Sequence, residues 1–190
     1  MKKIIILVPL LIFTFGCALL PFPPEAPVPM LEEECQTPIG DDEVAAMLDY
    51  EHDQFENADW KRSYAVTEDW AYVAYVSDSM SAVARIDVVR LCAAEVALEG
   101  YASPETIEAI MSEYDDVVLE DSCRQGHTML FEHSAASQGH AYRSRLWFAP
   151  MEDPNRVLKV MIVFPDGDEG NMTSYSEAFF PNFTSCNGVD

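Results

Sequence analysis

Basic residues are scarce in this chain: 11 Lys and Arg stand against 33 Asp and Glu among 190 residues, a net charge of −22. That deficit argues against nucleic acid and acidic lipid headgroups as partners, because binding them rests on lysine and arginine neutralising phosphates. Cationic peptides, divalent ions or salty surroundings suit such a surface better, and a solvated acidic exterior that maintains solubility is its plainest use. Catalytic signatures are lacking too. No GxSxG, HExxH, GxGxxG or P-loop occurs, so no catalytic residue is assigned. None of the five cysteines forms a CxxC pair or sits at ligand spacing from a histidine pair, which leaves a zinc cluster or a thioredoxin-like redox pair without support. No cofactor is assigned.

What is present begins at the amino terminus. Met1-Lys2-Lys3 leads into IIILVPLLIFTFG, and no charge occurs from Ile4 to Leu20. A basic start followed by a short apolar run has the layout of a secretory signal peptide. Pro9 and Gly16 weaken a permanent helix, and the run only reaches the lower limit of the ~17 to 25 residues that cross a bilayer. A cleaved signal over residues 1–16 is therefore expected.

Phe13-Thr14-Phe15-Gly16-Cys17 resembles the lipobox of the bacterial lipoproteins, with glycine directly before the cysteine and Thr14 where leucine is commonest. The resemblance covers residues 1 to 17. It implies a diacylglycerol on the Cys17 thiol, cleavage before Cys17 and acylation of the new amino terminus. Several acyl chains would then hold the exported protein at the membrane, since stable anchoring takes more than one. Ala18 rather than Asp after the cysteine implies sorting to the outer membrane in a host that has one.

Residues 17–34 are a tether. Pro21, Pro23, Pro24, Pro27 and Pro29 remove backbone donors and hold the chain near polyproline II, with a reach of roughly 55 Å from Cys17 to Cys35 at about 3.1 Å per residue. Residues 35–190 are long enough for one domain with its own core. With Cys17 lipidated, Cys35, Cys92, Cys123 and Cys186 form an even set in an oxidising compartment, and two disulfides are expected. Three connectivities are open. Cys92 with Cys123, across a loop of about thirty residues worth roughly 3 to 4 kcal/mol, would leave Cys35 to meet Cys186.

Apolar periodicity within this domain predicts an α+β fold: N-terminal helices, then an antiparallel β meander, then a closing C-terminal helix. Val44, Met47, Leu48 and Phe55 mark one face of a helix over Asp41 to Asn57. WAYVAYV, from Trp70 to Val76, fits either state. From Met80 to Glu99 the helical period is favoured, although Ala84, Ile86 and Val88 also alternate. Ser103-Pro104-Glu105 is a helix start, with a capping hydroxyl, a proline and a carboxylate in the first turn. After Asp116 the period becomes two. Val117 to Leu119, His127 to His133, Ala141 to Phe148 and Val157 to Phe164 read as strands separated by Gly126, Gly139 and the Pro150 to Asn155 turn. A helix over Asn171 to Phe180 ends at Pro181.

Removing Lys2 and Lys3 with the signal leaves nine basic residues, a net charge of −24, and five of the nine lie on the meander: Arg124, Arg143, Arg145, Arg156 and Lys159. Arg143 and Arg145, two apart, share one sheet face and are candidates to clamp a carboxylate or an acidic segment; pairing with the protein's own acids is the preferred reading. His127, His133 and His140 cluster in sequence, but no third ligand is evident and no metal is assigned. DGDEGNMTSYSE, Asp166 to Glu177, resembles an EF-hand loop with Asp166, Asp168 and Glu177 at ligand positions. Gly170-Asn171 reverses its central order, so a helix cap using Ser174 and Glu177 is the preferred reading.

Two function classes follow. A lipid-anchored binding or assembly module of the cell envelope, with an envelope protein as its candidate partner, is favoured over an exported hydrolase or metal-dependent enzyme. A deep pocket gathering His127, His133 and an acid would favour the enzyme; a shallow face exposing Arg143 and Arg145 would favour the module.

Overall fold

The computed structural model describes residues 35, 38–40, 55 and 59–187. The expected signal peptide, Cys17, the expected tether and nearly all of the helix expected over Asp41 to Asn57 lie outside the described residues. The strands are β1 (Trp60–Val66), β2 (Trp70–Ser77), β3 (Ala82–Arg90), β4 (Asp115–Gln125), β5 (Thr128–Ser137), β6 (His140–Pro150) and β7 (Arg156–Pro165). The helices are α1 (Ala94–Tyr101), α2 (Pro104–Ile110) and α3 (Glu169–Phe179). All seven strands form one antiparallel sheet in the order β1-β2-β3-β7-β6-β5-β4. Two meanders, β1 to β3 and β4 to β7, are thus joined where β3 pairs with β7.

This sheet corrects the expected fold class. The described domain does not open on helices; it opens on three strands, and Met80 to Glu99 is not one helix but β3 followed by α1. The physical reason lies in β3. Ala82, Ala84, Ile86 and Val88 are buried on one face, while Val83, Arg85 and Asp87 point to the other, so the two-residue alternation is the one that the packing uses. The helical set Met80, Val83, Ala84, Val88 and Leu91 fits the same residues, but it would surrender the β2 and β7 ladders on both sides of β3. WAYVAYV resolves the same way, as β2, with Ala71, Val73 and Tyr75 inward.

Local chemistry sets the ends of these elements. Thr67 turns β1 into β2, its hydroxyl accepting from the Asp69 and Trp70 amides at 3.3 and 3.1 Å. Gln138 and Gly139, both at positive φ, make the tight β5–β6 turn, which only residues tolerant of the left-handed region can form. Ser103 caps α2, its Oγ accepting from the Thr106 amide at 3.3 Å, with Pro104 at the first helical position. The last helix starts two residues earlier than expected, at Glu169, so Ser174 and Glu177 lie within it rather than at a cap.

Hydrophobic cores form on both faces of the sheet. On one face Trp147, Val160, Ile162 and Phe164 pack with α3 through Met172 and Phe179, and with Phe55 and Ile39 from the chain before β1. On the other, Leu146, Phe148, Val157 and Met161 pack under α1 and α2 through Ala94, Leu98, Ile107 and Met111. β7, covered on both sides, is a nearly unbroken apolar run, as a central strand must be.

Candidate functional site

Helix α2 stands on the sheet as a short ridge, seated by the buried side chains of Ile107 and Met111, with Ser144 Oγ donating to Met111 Sδ at 3.9 Å. A cleft runs along each flank. The larger, about 610 Å³, lies between α2 and the β4–β5 edge of the sheet and is lined mainly by Ile107, Met111, Val117, Leu119, Phe131 and His133. The smaller, about 520 Å³, lies over the opposite half, where Tyr72, Arg85, Asp87 and Lys159 face α2.

His133 gives the larger cleft its one buried polar group. On β5 it lies in phase with Phe131 and Ala135, and it is 3% exposed. Its register partners, Leu119 on β4 and Ser144 on β6, leave its Nδ1 with no hydrogen-bond partner among the described residues. Burial disfavours the imidazolium and pushes the His133 pKa down. Tyr114, at the foot of α2, is pushed up to about 12, by burial first and then by Glu113 and Tyr142. Both groups are therefore neutral near pH 7. The cleft is an apolar cavity with a neutral hydrogen-bonding group at its floor, an arrangement that suits holding an apolar group with one polar atom.

The smaller cleft is built differently. Asp87, 2% exposed, is gripped by Arg85 through Nε and Nη2, the latter at 2.7 Å, and faces Lys159 Nζ at 3.4 Å. The Arg85 guanidinium lies 4.3 Å from the centre of the Tyr72 ring, which in turn stacks on Trp70. Burial lowers the Lys159 pKa, and Asp87 opposes that shift. These groups satisfy one another, so the ladder reads as a closed ion-pair network.

The residues singled out from the sequence fare unequally. Cys35 bonds Cys92 and Cys123 bonds Cys186, with Cα–Cα distances of 5.4 and 5.5 Å, which corrects the expected pairing. Cys92 follows β3 and Cys123 sits on β4, four strand positions apart in the sheet. At about 4.8 Å per position that is roughly 19 Å, beyond any disulfide. Cys35 instead reaches Cys92 because its segment docks beside the β1–β2 turn and the start of β7, where Ile39 N donates to Glu68 O at 3.0 Å and Arg156 Nη2 to Pro38 O at 3.2 Å.

Arg143 and Arg145 share a face, and the protein's own acids hold them, the preferred of the two uses read from their spacing. Arg143 Nε donates to Asp166 Oδ1 at 2.8 Å, and Arg145 Nε to Glu132 Oε1 at 2.9 Å. Arg145 is buried under α3, where its Nη1 donates to Thr173 Oγ1 at 3.1 Å. It is a strut between sheet and helix. The histidines are not gathered: His127 and His140 lie at opposite ends of β5, and only His133 enters the cleft. In the Asp166 to Glu177 loop, Asp168 accepts from Asn171 Nδ2 at 2.9 and 3.1 Å while Asp166 is occupied by Arg143. Asp121, Glu132 and Cys186 come close enough to suggest a metal site, but the Cys186 sulfur is committed to Cys123.

The β4–β5 cleft was not singled out from the sequence. Its one available signal was parity, since an even offset from Ala135 and Phe131 places His133 on a face that must be buried. No family model matches this chain, and no curated protein matches it.

Proposed function

We propose that the protein is a lipid-anchored binding module of the cell envelope, and that it receives its ligand in the cleft between α2 and the β4–β5 edge. The observation that carries the reading is the apolar cavity of about 610 Å³ with His133 in its lining, a buried imidazole whose Nδ1 has no hydrogen-bond partner among the described residues. An unsatisfied buried polar atom costs about 1 to 3 kcal/mol, which a bound group that hydrogen-bonds it would recover. Two disulfides support an oxidising, exported setting. The lipobox-like Phe13 to Cys17 and the proline-rich tether supply the anchor and the spacer. Among the described residues no helix is long and apolar enough to cross a membrane.

The test uses 1-octanol, an apolar chain with one hydroxyl, titrated into the full chain carrying ¹⁵N-histidine. The His133 imidazole signals, assigned by their loss in His133→Leu, should shift saturably. Shifts that grow linearly without saturation, or that are equal for His127 and His133, would refute a site in the cleft.

A further inference from the structure

Strand β4 is one of the two edges of the sheet, so one side of its backbone has no ladder within the sheet. Exposed edges of this kind are templates for another strand, and proteins ordinarily blunt them. Here the edge mixes acids, Asp115, Asp116, Glu120 and Asp121, with two exposed apolar side chains, Val118 and Leu119 at 53% and 52%. Two register shifts, between Asp115 and Val118 and between Leu119 and Asp121, sort the side chains onto two faces. Val117 and Leu119 line the mouth of the His133 cleft, whereas Glu120 and Asp121 turn to the other face, where Glu120 accepts from Ser134 Oγ at 2.5 Å.

Resting on the reading of the cleft as a binding site, we infer that the β4 edge takes an extended segment of a partner protein as an eighth strand, with apolar residues alternating with lysine or arginine. The backbone supplies the ladder, as in other cases of strand addition. Alternation supplies the match. Every second side chain of an added strand falls beside Val117 and Leu119, at the mouth of the cavity, and the intervening ones fall beside Val118, Glu120 and Asp121. Charge selects the partner, since Asp115, Asp116, Glu120 and Asp121 all lie on β4 and the whole chain carries −22. The same acids argue against a second copy of this chain, whose β4 would bring like charges opposite one another. The tether is unsuited as well, because its prolines lack the donors that a ladder requires.

The experiment measures fluorescence anisotropy of labelled ten-residue peptides with the full chain in phosphatidylcholine nanodiscs. A peptide alternating valine and lysine should bind saturably. A peptide of the same composition with its valines in one block and its lysines in another should bind at least tenfold more weakly, as should an alternating peptide N-methylated at every second residue. Leu119→Lys, a change at an exposed position, should weaken binding of the alternating peptide at least tenfold, and Glu120→Lys with Asp121→Lys should do the same. Equal binding of the blocked peptide would reduce the effect to bulk charge and overturn the inference, as would indifference to N-methylation or to Leu119→Lys. Dimerisation of the full chain that Leu119→Lys abolishes would also overturn it, by making a second copy the occupant. If 1-octanol still shifts His133 while no peptide discriminates, the cleft stands and the added strand fails; if neither responds, both fail.

Discussion

Asp87 on β3 and Lys159 on β7 are register partners in the middle of the sheet, with Nζ and Oδ2 at 3.4 Å and both side chains nearly buried. A buried pair of this kind contributes little net stability over an apolar pair, but breaking it leaves a stranded charge. Asp87→Ala should therefore destabilise the fold by about 3 kcal/mol in urea unfolding. Lys159→Met should cost less, because Asp87 keeps Arg85. As pH rises toward the ordinary lysine value of 10.5, the Asp87→Ala deficit should narrow, since the uncharged amine tolerates burial. A deficit constant with pH would show that Lys159 is not the stranded group.

His133 makes stability pH-dependent in a definite direction. Its folded pKa lies below the ordinary 6.5, so between the two values the unfolded chain binds one more proton than the folded one. Stability therefore falls as pH drops through 6.5, with a slope of up to about 1.4 kcal/mol per pH unit from this group. His133→Leu should remove that component, and the difference between the two unfolding curves from pH 7 to pH 5 isolates it. Parallel curves would contradict the burial of His133.

The disulfide framework predicts which peptides remain joined without reductant: Cys35 with Cys92, and Cys123 with Cys186. The closed loops span 57 and 63 residues, for which chain entropy gives about 4 kcal/mol each. Replacing Cys123 and Cys186 with alanine should lower stability by roughly 2 to 5 kcal/mol. A joined peptide containing Cys92 and Cys123 would overturn the pairing.

Lipidation at Cys17 predicts that Cys17→Ser leaves the membrane fraction and loses labelled fatty acid. Retention of both by the variant would disprove the lipoprotein reading. This outcome is independent of the cleft, because Cys17 lies outside the described residues that line it.

Calcium should not stabilise the Asp166 to Glu177 loop selectively. Asp166 is engaged by Arg143 and Asp168 by Asn171, and Gly170-Asn171 stand in reversed order for a calcium loop. Millimolar calcium and magnesium should give the same Tm, and Asp168→Ala should not alter that equality. A rise specific to calcium and lost in Asp168→Ala would identify a binding loop.

The sequence by itself determined the local events. Period-two patterning after Asp116 marks the positions of β4 to β7, and Ser103-Pro104-Glu105 marks the start of α2, because side-chain alternation and capping depend only on residues a few positions apart. Tertiary structure decided everything that required knowing which strands are neighbours. Ala82 to Arg90 carries both periods, and β2 and β7 on its flanks chose the strand by supplying two ladders. Cys92 lost Cys123 because three strands intervene between β3 and β4. Arg145, a candidate ligand contact by its spacing, became a strut because β5 sets Glu132 opposite it and α3 closes over both. His133 acquired its cleft in the same way: its inward direction follows from strand parity, but the empty space above it exists only because α2 rests on Ile107 and Met111 and stops short of the β4 edge.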